Sequence, residues 1–207
     1  MNLITYLFLG FVTAVLGALP LGTTNVAVIN TTIKENIHNA LKIMYPAAIA
    51  EVILVLLAMY YNTKIIGFID GNIWVQYSIA VVLLLAGAIL FFRRKDAVIN
   101  NNKPEIPKQL LGFILGMVNP AVLIYWILAI SYLNKKIIHL DLSIEYTLLI
   151  LFLVGVFFGK VVTLYGFGKF SHLLKLKMNY VSAKVNQIIG VLLAVVSIIQ
   201  FVKLIEV

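Results

Sequence analysis

Long apolar stretches alternate with short polar ones along the whole chain. Each stretch holds at least the roughly 20 residues that a helix needs to cross a hydrocarbon core of about 30 Å. The pattern therefore predicts an all-α membrane protein with six transmembrane helices. The predicted helices cover about 3–30, 40–62, 73–92, 110–133, 146–168 and 185–204.

Two of these stretches, the first and the fourth, carry the tripeptide Leu-Gly-Phe, at 9–11 and 111–113, and are then interrupted by Pro20 and Pro120. A proline inside a helix removes a backbone donor and leaves a carbonyl without its partner. Lipid cannot supply that partner, so such an interruption persists only beside protein or a water-filled cavity. We therefore predict that helices one and four are broken at proline and that the two breaks face each other around a hydrated cavity.

A polar connector at about 93–108 divides the chain into halves of similar length, at about 1–95 and 108–207. Each half holds an odd number of predicted helices, so the second half enters the membrane from the opposite side. The prediction is a single transmembrane domain, 1–207, built as two inverted three-helix repeats. Interrupted helices at matching places in two such repeats point to the binding site of a transporter.

Positive charge is distributed unevenly between the predicted loops. The chain has 16 Lys and Arg against 8 Asp and Glu, which gives a net charge of +8. Cytoplasmic loops of membrane proteins are enriched in Lys and Arg, so we expect both termini to lie outside. We interpret the basic clusters as orientation signals near anionic lipid headgroups, not as a nucleic-acid surface. The side predicted to be cytoplasmic carries Lys34, Lys42, Arg93, Arg94, Lys95, Lys103, Lys108, Lys169, Lys175, Lys177 and Lys184, and the opposite side carries Lys64, Lys135, Lys136 and Lys203.

Composition narrows the classes of function. Hydrophobic residues make up 62% of the chain and charged residues 12%, against about half and about a quarter in soluble domains. The chain has no cysteine, which excludes disulfides and thiolate chemistry. Its histidines, His38, His139 and His172, fall in loops or at helix ends, so a soft-metal pathway lacks ligands. The sequence also lacks the zinc-protease and phosphate-loop motifs, and we predict neither an enzyme nor a cofactor.

Two charged residues lie deep in predicted helices. Glu51 is near the middle of helix two, and Lys160 is slightly past the middle of helix five. An ionised group at the bilayer centre costs about 3 kcal/mol on insertion scales, so both side chains must face inward and find partners. Their opposite signs predict that they contact each other. One interpretation is an ion pair that fixes the register of the two helices. In the other, the substrate or protons compete with this pair. Glu51 then binds a proton or the substrate's ammonium, and Lys160 binds a carboxylate.

Polar residues crowd the first break, which contains Pro20, Gly22, Thr23, Thr24 and Asn25. If a half-helix starts near Thr23, its free amides and the positive end of its dipole suit a carboxylate. Alternatively, these side chains only satisfy the broken backbone.

The second break contains Asn119 and Pro120 and has the same two interpretations. Shortly after it come Tyr125 and Trp126, which either face a cavity or serve as packing aromatics. Small residues mark helix contacts in a bilayer, so the pair Gly112 with Gly116 predicts close packing, as does Gly155 with Gly159 in helix five.

The segment at 18–25, Ala-Leu-Pro-Leu-Gly-Thr-Thr-Asn, is followed by a basic loop and an alanine-rich second helix. The fourth helix contains Gly112-Phe113-x5-Asn119-Pro120. This pattern resembles the LysE/RhtB family of bacterial amino-acid exporters, and size and span number agree across nearly the whole chain. Family members usually carry Pro-Gly-Pro at the first break, where this chain has Pro-Leu-Gly. They usually continue the second motif with a lysine, where this chain has Ala121.

The resemblance implies secondary export of an amino acid or similar small zwitterionic metabolite across the bacterial inner membrane, driven by the proton gradient. The partners are then the lipid bilayer, the amino acid and H⁺. The alternatives are an effluxer of divalent or heavy-metal cations with related six-helix architecture, and a structural membrane protein that transports nothing. The sequence leaves open the substrate, the coupling ion, the direction of transport and assembly as a homo-oligomer.

Overall fold

The structure, a computed structural model, describes residues 3–20, 22–70, 72–92, 106–138, 140–142 and 144–171, with single positions between 187 and 202. Within these residues every regular element is an α-helix. The helices are α1 Leu3–Ala18, α2 Thr23–Lys34, α3 Ile37–Asp70, α4 Ile73–Phe92, α5 Lys108–Met117, α6 Pro120–Lys136 and α7 Tyr146–Lys169.

Several of these helices are long and apolar enough to cross a membrane. The segment Ile37–Asn62 of α3 qualifies by itself, and so does α7. The pairs α1 with α2 and α5 with α6 qualify if each is one bent span, so the described residues hold two to four candidate spans. The predicted all-α fold is confirmed for the described residues, and their apolar helices are compatible with a membrane protein. Six helices in two inverted repeats stay a prediction. The connector up to residue 105 and most of the predicted sixth helix lie outside the described residues.

Both predicted breaks are present. The first bent pair turns by 80° between Ala18 and Thr23, and the second turns by 54° at Asn119. Pro120 stands in the first turn of α6. No backbone N–H at that position makes a hydrogen bond within the helix, so proline costs no such bond there. Helices one and four of the sequence pattern are therefore each two half-helices.

The chain forms two compact units, and each takes segments from both predicted halves. One unit comprises Met1–Asn62 with Asn102–Lys175, and it contains both bent pairs, most of α3 and α7. The other comprises Thr63–Asn101 with Leu176–Val207 and contains α4. In this second unit the hydroxyl of Ser197 donates a 2.7 Å hydrogen bond to the carbonyl of Ala80.

In the first unit, α1 and α7 pack with their backbones in direct contact. Gly10 lies against the carbonyl of Phe152, and Gly155 lies against the carbonyl of Leu7. A Cβ atom at either glycine would overlap the opposite backbone. One turn further along α7, Gly159 lies against α1 in the same way. This crossing fixes the height of α7, and with it the height of Lys160.

The half-helix α5 packs on α3 by the same means. Gly112 contacts the backbone of Ile43, and Gly116 contacts Ala47 and Ala50. Small residues allow such close approach, which favours helix association in a membrane. The close packing predicted for both glycine pairs is therefore confirmed.

The two bent pairs lie side by side in opposite chain directions. α1, which precedes the first break, packs on α6, which follows the second break. α2, which follows the first break, packs on α5, which precedes the second. The breaks themselves meet, because a Cβ atom placed on Gly22 would lie 3.9 Å from the amide nitrogen of Asn119. The two breaks are thus neighbours, as predicted, whereas a hydrated cavity between them stays a prediction.

Candidate functional site

The deep charges form a buried ion pair. The Nζ of Lys160 on α7 lies 2.5 Å from Oε2 of Glu51 on α3. Glu51 is 3% exposed and Lys160 is 5% exposed, so water scarcely reaches either residue. The predicted contact between these two side chains is confirmed.

Trp126 on α6 completes the surroundings of the carboxylate. Its indole nitrogen donates a 3.2 Å hydrogen bond to Oε1 of Glu51, the oxygen that does not face Lys160. The side chain is fully buried, and its ring meets the edge of Phe152 at a centroid distance of 6.3 Å. The sequence pattern did not decide whether Trp126 lines a cavity or only packs against other helices. It could have predicted a polar partner, because a buried indole N–H requires an acceptor.

The neighbouring Tyr125 contacts α1 just before the first break. Its hydroxyl donates a 2.6 Å hydrogen bond to the carbonyl of Thr13. Its ring fills the space beside Gly17, where a Cβ atom would overlap it. Its ring also contacts the ring of Trp126, with the centroids 5.5 Å apart. This residue therefore links the first broken span to the surroundings of the ion pair.

The polar side chains of the first break are largely used within the protein. The amide of Asn25 donates 2.9 Å hydrogen bonds to the carbonyls of Ala18 and Pro20. The hydroxyl of Thr24 donates to the carbonyl of Leu115 on α5, at 3.3 Å. Asn25 and Thr24 are buried, as expected if these side chains supply hydrogen bonds to the broken backbone.

The remaining residues of this break are more open. Pro20 and Thr23 are exposed, and Gly22 is half-buried. α2 begins at Thr23, which is the condition stated above for a carboxylate site, and no side chain caps its first turn. The first amides of α2 thus have no acceptor from a capping side chain.

The second break is closed differently. The side chain of Asn119 accepts a hydrogen bond from the amide of Val122 and so caps α6. Pro120 is the first residue of that helix. The two breaks therefore differ, because one half-helix starts with a side-chain cap and the other without one.

Two further polar contacts join neighbouring helices, one between α3 and α6 and one between the end of α2 and the start of α5. The amide of Asn62 near the far end of α3 donates to the carbonyl of Ile127 at 3.0 Å and to the hydroxyl of Ser131 at 2.8 Å. At the surface, Lys108 at the start of α5 pairs with Glu35 after α2, at 2.5 Å. Neither contact was expected from the sequence, because each depends on which helices become neighbours.

The buried pair lies where α3, α6 and α7 meet, and Tyr125 connects this place to α1. A carboxylate, an ammonium and an indole N–H are within contact of one another in a nearly dry environment. In the described part of the chain, no group of three or more His, Cys, Asp or Glu is placed to hold a metal ion. An open apolar groove of about 510 Å³ lies elsewhere on α1 and α7, lined by Phe11, Val15, Leu19, Val162, Thr163, Gly166, Phe167 and Phe170.

The chain was compared with known families, proteins and structures. It matches no protein-family model, no curated protein and no solved structure.

Proposed function

We propose that this chain is a secondary active exporter of an amino acid, or a similar small zwitterion, across the bacterial inner membrane, coupled to protons. The observation that carries the proposal is the buried pair of Glu51 and Lys160 at a junction that includes both broken spans. A buried ion pair is costly to desolvate and seldom adds net stability, so its presence favours a role beyond holding the fold.

The chemistry of the pair selects the substrate class. Opening the pair leaves a buried carboxylate and a buried ammonium, and either one alone costs several kcal/mol or more. A zwitterion replaces both lost partners at once, because its ammonium meets Glu51 and its carboxylate meets Lys160. A cation alone or an anion alone leaves one protein charge without a partner.

Proton coupling follows from the same carboxylate. A proton that binds Glu51 removes the negative charge that holds the substrate's ammonium. A proton arriving from the outside therefore releases the substrate to the outside, and loss of that proton to the cytoplasm restores the charge. This sequence of events couples proton entry to substrate export without any covalent step.

The first break supports a pathway next to the pair. The first amides of α2 have no capping side chain, and free amides at a helix N-terminus suit a carboxylate. Tyr125 joins this region to the ion pair through its contacts with Thr13 and Gly17. We propose that the substrate passes along this side, with Asn119 and Gly22 at the point where the two breaks meet.

The architecture we propose has six spans in two inverted repeats, with both termini outside. The opposite directions of the two bent pairs support an inverted relation, because α1 packs on α6 and α2 packs on α5. A metal effluxer is the weaker alternative, since the described residues offer one deep carboxylate and no ligand cluster.

The test is efflux from membrane vesicles loaded with radiolabelled glycine, leucine, lysine or glutamate, with and without a proton gradient. The wild type should export at least one of these faster when the gradient is present. Glu51→Gln should reduce this proton-driven efflux at least tenfold, because the amide neither ionises nor releases a proton at neutral pH. Glu35→Gln is the matched control, since Glu35 is a carboxylate in an exposed ion pair.

Two outcomes would contradict the proposal. One is a wild type that exports none of the four amino acids under either condition. The other is Glu51→Gln protein that exports at the wild-type rate, which would leave the pair with a structural role alone. Thermal unfolding of both variants in detergent separates loss of transport from loss of fold.

A further inference from the structure

We infer that Trp126 is a positioning residue that holds one oxygen of Glu51 in place, so that only the other oxygen exchanges partners during transport. The inference rests on the proposed function and names the atom at which the exchange takes place. Trp126 occupies Oε1, whereas Lys160 occupies Oε2. The substrate's ammonium, the proton and Lys160 then compete for Oε2.

The two partners of Glu51 differ in how firmly they are held. The Trp126 ring is fully buried and meets Phe152 and Tyr125 edge-on. Such packing restricts a two-torsion aromatic side chain to one orientation. Lys160 reaches the carboxylate through a flexible four-carbon stem that ends in three rotatable donors. The indole is therefore the fixed partner and the ammonium is the mobile one.

A fixed neutral donor has a specific use when the ion pair opens. A buried carboxylate that loses every partner bears the full cost of desolvation. Trp126 retains one hydrogen bond to Glu51 while Lys160 is engaged with the substrate. The indole is a donor only, so Oε1 stays an acceptor whether Glu51 is ionised or protonated. A proton therefore binds at Oε2, the oxygen that Lys160 vacates.

The kinetic test is Trp126→Phe in the vesicle assay, with any of the four amino acids that the wild type exports. Without the indole N–H, Glu51 is left with Lys160 as its charged partner and gives it up less readily. We expect KM to rise about tenfold, the effect of one hydrogen bond to a charged group. We expect kcat to change by less than about twofold, as for loss of ground-state binding.

Trp74→Phe is the matched control, because it is the same substitution at a residue that is 78% exposed. It should leave both constants unchanged. An unchanged KM in Trp126→Phe, or a loss of kcat alone, overturns the inference.

A second measurement keeps Trp126 itself unchanged and needs no transport. The chain has two tryptophans, so Trp74→Phe protein labelled with ¹⁵N-tryptophan gives one indole N–H resonance, that of Trp126. We expect the indole proton of Trp126 to resonate downfield, as a hydrogen-bonded proton does. This chemical shift should persist when Lys160 is changed to Met and should be lost when Glu51 is changed to Leu. An upfield move in the Lys160→Met protein overturns the inference, since the indole would then depend on the ion pair.

The two arms separate the possible failures. If the wild type exports no amino acid, the proposed function fails, and the resonance still decides whether Trp126 is anchored to Glu51. If the wild type exports and the resonance follows Lys160, the proposed function stands and the inference about Trp126 fails. Should Trp126→Phe not fold, the resonance of the native tryptophan decides alone.

Discussion

Asn25 is the residue that makes the first break compatible with an apolar environment. A helix end leaves its last carbonyls without donors, and lipid offers none. The single amide of Asn25 donates to the last carbonyl of α1, on Ala18, and to the carbonyl of Pro20 in the turn. The turn between α1 and α2 is therefore stabilised by a side chain from the first turn of α2.

Replacing Asn25 should destabilise the fold more than its size suggests. We expect Asn25→Ala to cost about 1–3 kcal/mol, because the buried carbonyl of Ala18 and the partly buried carbonyl of Pro20 lose their donor. Asn25→Asp should cost at least as much, since an ionised carboxylate is an acceptor only. Thermal unfolding of the purified protein in detergent measures both. Thr23→Ala, at an exposed neighbouring position, is the control. An Asp variant as stable as the wild type would show that these bonds do not support the break.

At the scale of single elements, glycine decides how closely the helices approach. Gly155 faces the backbone of Leu7, whereas a Cβ atom on Gly166 of the same helix would meet nothing within 4 Å. The two positions therefore give opposite expectations for the same substitution.

Gly155→Ala should separate α1 from α7 and lower the unfolding temperature by several degrees, as overpacking costs about 1–3 kcal/mol. Gly166→Ala should leave stability unchanged or raise it by up to about 1 kcal/mol, because alanine is the better helix former. Thermal unfolding of the two variants side by side checks both. Equal effects of the two substitutions would contradict the observed packing of α1 on α7.

Much of the element pattern could be predicted from the sequence, because apolar length and proline act locally. The predicted stretches at 73–92 and 146–168 coincide closely with α4 and α7, and the breaks fall at Pro20 and Pro120. α3 runs on to Asp70, beyond the predicted end at residue 62. The apolar stretch ends there, but residues 63–70 contain no proline to end the helix, and helix length need not equal the apolar length.

At the scale of the whole molecule, the orientation in the membrane is open to a direct test. Green fluorescent protein fluoresces only when it folds on the cytoplasmic side. We expect a fusion after Val207 to stay dark, and a fusion to a chain that ends at Lys95 to be bright, because the basic loops should face the cytoplasm. Fluorescence of whole cells, normalised to the amount of fusion protein, gives the answer. A bright fusion at Val207 would reverse the proposed orientation.

The site was predictable only in part, and the reason lies at this scale. Glu51 and Lys160 were expected to meet, since opposite charges in an apolar environment have few other options. The partners Trp126 and Tyr125 depend on α6 lying against α3 and α1, which no local pattern specifies. The same holds for Asn62, whose acceptors are on α6.

The separation of the ion pair along the chain has a consequence for biosynthesis. Trp126 follows Glu51 by 75 positions, and Lys160 comes later still. A ribosome that has made the first half has therefore placed Glu51 in its helix before Trp126 and Lys160 exist. The hydrogen bond and the ion pair of Glu51 can form only after most of the chain has been synthesised.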